Sequence, residues 1–329
     1  MRIPVLFLCL LSLYHTRLQT WNLDCAKAFG IDDHEAAHIS NGEPREISHE
    51  SKSKFLTGRG IEFEPKPFYS YLLTEDSAPT PALQQLLFFF GIPHQSTLEE
   101  IVNATQSHWI QTGKERWEFE PIEEDKRMQL LPIFKEIGLC DNVNCSSANY
   151  DYALVYGGFY SRVLKRIEQL VREYQRGVRF KRIVLLTGQR FLDPKTTERE
   201  LPLNTETEMM LFIWEHTLMP ETLREIPIQV VDAPRQMRAD GSWVRPTTKD
   251  TLIEWLKTAP APGHCLFISG QPLCGYQDSV ARTYLPSNFN IETIGIYSDE
   301  ELAISIYLDN LARWLYQEKI RRATETSGP

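Results

Sequence analysis

The sequence predicts a doubly wound α/β fold, and three observations carry that prediction. Five short apolar runs rich in β-branched residues occur at Ala153–Tyr156, Ile183–Leu186, Ile226–Val231, Cys265–Ile268 and Ile291–Ile296. Helical periodicity fills the stretches between and after them, at about 160–176, 205–218, 247–258, 277–284 and 299–318. The first run ends in Gly157-Gly158 and leads straight into a helix. Strands that are apolar throughout and separated by helices imply a mostly parallel sheet covered on both faces. Right-handed crossovers then give a Rossmann-like domain over residues 151–318.

The totals leave room for this domain and an appendage. The chain has 329 residues, 42% hydrophobic and 24% charged, ordinary values for a globular protein. A formal net charge of -9 argues against a general nucleic-acid binder, which needs a basic face for phosphates. Six cysteines are present. The close pairs Cys140/Cys145 and Cys265/Cys274 admit two readings, disulfides in an oxidising compartment or small buried thiols. No C-x-x-C pair and no Cys/His spacing of the zinc type occurs, so no metal site is expected.

At the N-terminus, Arg2 is followed by about a dozen apolar residues, the plan of a signal peptide or short membrane anchor over 1–20. The run is short of the roughly 20 residues a membrane span needs. Residues 21–60 are polar, and their His34, His38 and His49 are too loosely spaced for a metal site. Residues 61–150 read as a helical accessory region. Pro81–Phe90 is apolar, and Ser96-Thr97-Leu98-Glu99 reads as a capping box opening a helix with Leu98, Ile101, Val102 and Trp109 on one face. His108 reads as packed or surface, and the charge run from Glu115 to Arg127 as a solvated face. Met128–Ile137 is a further helix, stopped by Gly138. Residues 319–329 read as a disordered tail.

In a doubly wound sheet, ligands bind at the carboxyl ends of the strands. Gly157-Gly158 follows the first strand, and glycine lets a ligand approach the main chain closely. The helix start beyond it offers N–H groups to an anion. The second strand leads into Thr187-Gly188-Gln189-Arg190, the third into Asp232-Ala233-Pro234-Arg235, and the fourth into Ser269-Gly270-Gln271. These loops carry Arg190, Arg235, Arg238 and Arg245, with Arg162 on the first helix; arginine grips carboxylate or phosphate at two points. Some of these arginines could instead pair with Glu198, Glu200, Asp232 or Asp240. Glu206 and Glu208 begin the second helix and Asp250 the third, where capping accounts for them as well as ligand contact does. The candidate ligand-binding set is Gly157, Gly158, Arg162, Gly188, Gln189, Arg190, Glu206, Asp232, Thr248, Asp250 and Ser269. In it, Arg162 and Arg190 neutralise an anionic small molecule or a nucleotide-type ligand, while Glu206, Asp232 or Asp250 contact hydroxyls or move a proton.

Taken in order, these pieces resemble the YdcF/SanA/ElyC-like family of bacterial envelope-associated proteins. The resemblance rests on Val155-Tyr156-Gly157-Gly158 with Arg162, Leu186-Thr187-Gly188-Gln189, Glu206-Thr207-Glu208, Val231-Asp232, Thr247-Thr248-Lys249-Asp250-Thr251 and Ile268-Ser269-Gly270, across about 151–300. There are departures. Gln189 stands where the family has Gly, Thr247 and Thr251 stand for two Asn, and Gln271-Pro272-Leu273-Cys274 holds no counterpart to a family His, while Arg282 stands for its Arg. The resemblance implies a Rossmann-like fold, export or membrane association with an envelope partner, and a link to cell-envelope biogenesis. It also implies S-adenosylmethionine as a possible ligand. The alternative expectation is a non-enzymatic interaction factor that keeps the fold without catalysis. A dinucleotide dehydrogenase is disfavoured because G-x-G-x-x-G is absent, and a serine hydrolase because G-x-S-x-G is absent.

Overall fold

The computed structural model describes residues 67–93, 96–114, 116–193, 203–298 and 301–326. The chain divides into two units, 1–63 and 64–329. The leader and the histidine-bearing segment 21–60 lie outside the described residues, as do Glu198 and Glu200.

Three helices come first: α1 (Pro81–Phe89), α2 (Leu98–Trp109) and α3 (Arg127–Glu136). Thr97 caps α2 in a capping box closed by Glu100, one residue later than the Ser96/Glu99 reading. The reason is geometric: the Thr97 hydroxyl accepts the N–H of Glu100, which returns its carboxylate to the Thr97 N–H at 2.8 Å. The α/β part then runs β1 (Asn149–Tyr156), α4 (Tyr160–Gln175), β2 (Arg179–Gly188), α5 (Glu206–His216), α6 (Glu221–Arg224) and β3 (Ile228–Ala233). A two-stranded ribbon, β4 (Gln236–Met237) and β5 (Trp243–Val244), precedes α7 (Thr248–Leu256). The chain continues through β6 (His264–Gly270), α8 (Cys274–Tyr284), β7 (Asn290–Ile296) and α9 (Ile304–Thr326).

The five long strands form one parallel sheet in the order β3-β2-β1-β6-β7. Alternate side chains of each strand enter different cores, as the two-residue period of a strand requires. Ala153, Val155, Ile183, Leu185, Leu266 and Ile268 pack with α4 and α5. Leu154, Tyr156, Val184, Leu186 and Phe267 pack with α7 and α8 on the opposite face. The predicted doubly wound α/β fold is the observed one. β1 and β2 begin earlier than their apolar runs because their first residues, such as Asn149 and Arg179, are exposed, whereas β3 begins later, at Ile228 instead of Ile226.

The predicted boundary at residue 150 is not a boundary. Leu83, Leu86, Ile101, Trp109 and Phe134 of the first three helices share one core with Leu308, Leu311, Trp314 and Leu315 of α9 and with Cys274 of α8. A Cβ on Gly275 would collide with the Trp314 ring, so the α8–α9 contact requires glycine there. The charge run before α3 is also more than a solvated face. Glu124 accepts the N–H of Ile304 at 3.0 Å at the start of α9, and Arg127, paired with Glu124, donates to the Leu302 carbonyl. The predicted disordered tail is largely helix: α9 reaches Thr326, and Arg321 is buried against Glu318 at 2.9 Å. Hydrophobic periodicity hid this because that stretch is held by ion pairs more than by an apolar stripe.

Cys140, Cys145, Cys265 and Cys274 are free thiols. Cys265 lies in the core beneath α7 while Cys274 lies in the core beneath α9, so that pair faces different layers. Burial pushes the Cys274 and Cys265 thiols up to about 12; burial and then the hydrogen bond to Glu173 do the same for Cys145. At pH 8, iodoacetamide should label these three at least about a hundredfold slower in the native protein than in guanidinium, since only the thiolate reacts. Mass spectrometry after denaturation should find all four described thiols alkylated; a pair missing from that count would show a disulfide.

Candidate functional site

The sheet order reverses between β1 and β6, so the loops after these strands splay apart and leave a crevice. A cleft of about 270 Å³ opens there. Its floor is Tyr156, Gly157 and Gly158; its walls come from the starts of α4, α5, α7 and α8, from α9, and from Lys114, Arg116 and Phe119.

Two features shape the floor. The N–H of Gly157 continues the sheet ladder to the Leu186 carbonyl at 2.8 Å, and a Cβ at Gly157 would strike the Glu206 carboxylate. Gly158 has φ of 153°, outside the range side chains favour. Arg190 then locks the turn. Its Nε meets Glu206 Oε2 at 2.7 Å, its Nη2 donates to the Gly158 carbonyl at 2.9 Å, and its guanidinium lies 4.8 Å from the Phe159 ring centre. Arg190 and Glu206 therefore serve each other and the turn.

The remaining charge is strongly positive. Lys114, Arg116, Arg162, Arg166, Arg190, Arg245 and Arg313 line the cleft, against only Glu206 and Asp309 among the described carboxylates. Asp309 is buried and held by Arg313 at 2.9 Å, and Glu206 is held by Arg190. Arg162 and Arg166 are one turn apart on α4 and project to the same face. Arg166, only 2% exposed, donates from Nη1 to the carbonyls of Tyr156, at 2.9 Å, and Gly157, while its buried Nε has no partner among the described residues. The half-buried Arg162 guanidinium makes no hydrogen bond or ion pair among the described residues. Arg116 donates to Asn310 Oδ1 at 3.0 Å.

This crowding is unfavourable for the cations. Burial first, then the charge of Arg162, pushes the Arg116 guanidinium down to about 9, with Arg313 and Arg245 adding to the effect and Asp309 opposing it. Burial and then Arg166 push Arg162 down to about 10. Burial pushes Arg166 down to about 10 in the same way. Guanidinium holds its proton tenaciously. The cleft therefore keeps a concentrated positive charge.

Gly157, Gly158, Arg162, Gly188, Arg190, Glu206 and Thr248 of the predicted set line this cleft. Gln189, Asp232, Asp250 and Ser269 do not. Asp232 accepts from Thr207 at 2.7 Å and from Gln189 at 3.4 Å on the exposed rim; Asp250 closes the capping box of α7; Ser269 is buried and donates to Gln277 Oε1 at 2.5 Å. Arg282, expected to stand for a family arginine, is tied to Asp278 at 2.7 Å and is not part of the lining. Arg235 sits between Phe191 and Trp243, 4.4 and 5.2 Å from their ring centres. Sequence patterning misses Lys114, Arg116, Arg166, Asp309, Tyr276 and Arg313. Only Arg166 carries a local signal, its four-residue spacing from Arg162.

No family model matches the chain, and no curated protein or solved structure matches it either. The site must therefore be judged on its own chemistry. S-adenosylmethionine does not fit it: a sulfonium and an ammonium would face arginines, and both lining carboxylates are already engaged. Among the described residues, no group of three or more His, Cys, Asp or Glu gathers to hold a metal ion.

Proposed function

We propose that this protein binds a small phosphate-bearing anion in the cleft at the carboxyl ends of β1 and β6. The observation that carries the proposal is the Arg162 guanidinium, without a partner among the described residues, beside the buried and unpartnered Arg166 Nε. Phosphate suits this better than carboxylate because several donors converge from different directions, and arginine forks match its oxygens. Export or anchoring through residues 1–20, and a role in envelope biogenesis, belong to the same proposal. Their support is the apolar leader and the order of motifs along 151–300. No helix among the described residues is long and apolar enough to cross a membrane.

One observation favours the second reading, an interaction factor without catalysis. Both cleft carboxylates are paired with arginine, so neither stands ready as a general base. A bound anion is common to both readings, and turnover separates them.

The binding claim has a pH signature. The arginines stay charged from pH 5 to 7.5, whereas a phosphate monoester gains its second charge near pH 6. Affinity for glycerol 2-phosphate, measured by calorimetry, should therefore rise about tenfold across that interval. An affinity that stays flat, or that matches acetate at equal concentration, would sink the phosphate assignment.

A further inference from the structure

The arginines of the cleft form two groups supplied by different parts of the chain. The inner group is Arg162 and Arg166, one turn apart on α4 and seated over the Gly157-Gly158 turn. The outer group is Arg116, from the segment before α3, with Arg245 from the loop before α7 and Arg313 from α9. Arg162 belongs electrostatically to both: it is repelled by Arg166 and exerts the strongest charge effect on Arg116. Asp309 offsets Arg313 and Glu206 offsets Arg190, so the uncompensated charge is concentrated on Arg116, Arg162 and Arg166. A phosphate monoester carries about two negative charges at most and would satisfy one group while leaving the other repelled. Two phosphates linked through one oxygen place two anionic centres side by side, which suits two arginine groups that share a member.

We propose that the ligand of this cleft carries a diphosphate group, one phosphate held by Arg162 and Arg166 and the other by Arg116 with the outer arginines. The inference rests on the phosphate-binding reading above and extends it to a substrate class. The inner subsite resembles other phosphate sites in its physics, since a glycine turn and a helix start meet there. The outer one depends on Arg116, brought across from the segment before α3.

Calorimetry on the full chain with inorganic phosphate and inorganic pyrophosphate, at pH 8 and fixed ionic strength, tests it. Pyrophosphate should bind about a hundredfold more tightly than phosphate, as one further set of charge-assisted hydrogen bonds would give. Arg116→Gln should cut pyrophosphate affinity about thirtyfold and leave phosphate affinity within about threefold. Arg162→Gln should weaken both. Equal affinities for the two anions would overturn the diphosphate assignment while leaving the single-phosphate site standing. Failure of both anions to bind a chain that melts cooperatively would remove the phosphate reading itself.

Discussion

Arg116→Gln combined with Arg162→Gln should lower affinity for pyrophosphate by about a thousandfold without lowering thermal stability. The first half follows from removing two charge-assisted hydrogen bonds to the anion, at about 2 kcal/mol each, with about 1.4 kcal/mol for every tenfold in affinity. The second half is the more diagnostic. Arg162 has no protein partner to lose among the described residues, and Arg116 gives up one hydrogen bond, that to Asn310 Oδ1. Removing two of the crowded cations relieves the burial cost of charge and, after it, the mutual repulsion that push both guanidinium groups down. The melting temperature in anion-free buffer should hold or rise, while the upward shift caused by pyrophosphate should vanish. A melting temperature that falls by more than about 5 °C would mark these arginines as structural and sink the assignment.

Gly157→Val should damage the fold and the site together. Its Cβ would strike the Glu206 carboxylate and crowd the Leu186 carbonyl, which is backbone and cannot swing away. Displacing Glu206 leaves Arg190 without its buried partner and frees the Gly158 carbonyl from its clamp. Overpacking and a broken buried pair together suggest a loss of about 3 kcal/mol, roughly 6–12 °C in melting temperature for a chain of this size. The double variant Gly157→Val/Glu206→Ala should be less destabilised than the sum of the two singles, because the collision partner is gone. Strict additivity of the two would show that the glycine is required for some other reason.

The central sheet was legible because its strands are apolar end to end and its helices alternate with them, which is what burial on both faces imposes. Gly157, Gly158, Arg162, Arg190 and Glu206 could be found because each sits at a strand end or a helix start, positions that a local pattern marks. Arg116 could not. It stands in a run of alternating charges that looks solvated, and what turns it inward is Asn310, on α9, far along the chain. Arg313 and the ordered end of α9 were hidden for a related reason: long-range packing and ion pairs leave no periodic trace in the residues themselves. Asp250 shows the opposite error. An acid at a helix start fits a ligand contact as well as a cap, and only its hydrogen bond to the Thr247 N–H at 2.7 Å decides between them.

The shared core of α1–α3 and α9 has a consequence during synthesis. Residues through Glu136 emerge from the ribosome well before Ile304, and at about 5–20 residues per second the interval is roughly ten to thirty seconds. Throughout that time Leu83, Leu86, Ile101 and Trp109 lack the helix that buries them. The nascent chain therefore offers a sticky surface to chaperones or to other nascent copies, and neither the core nor the cleft lining is complete until α9 arrives.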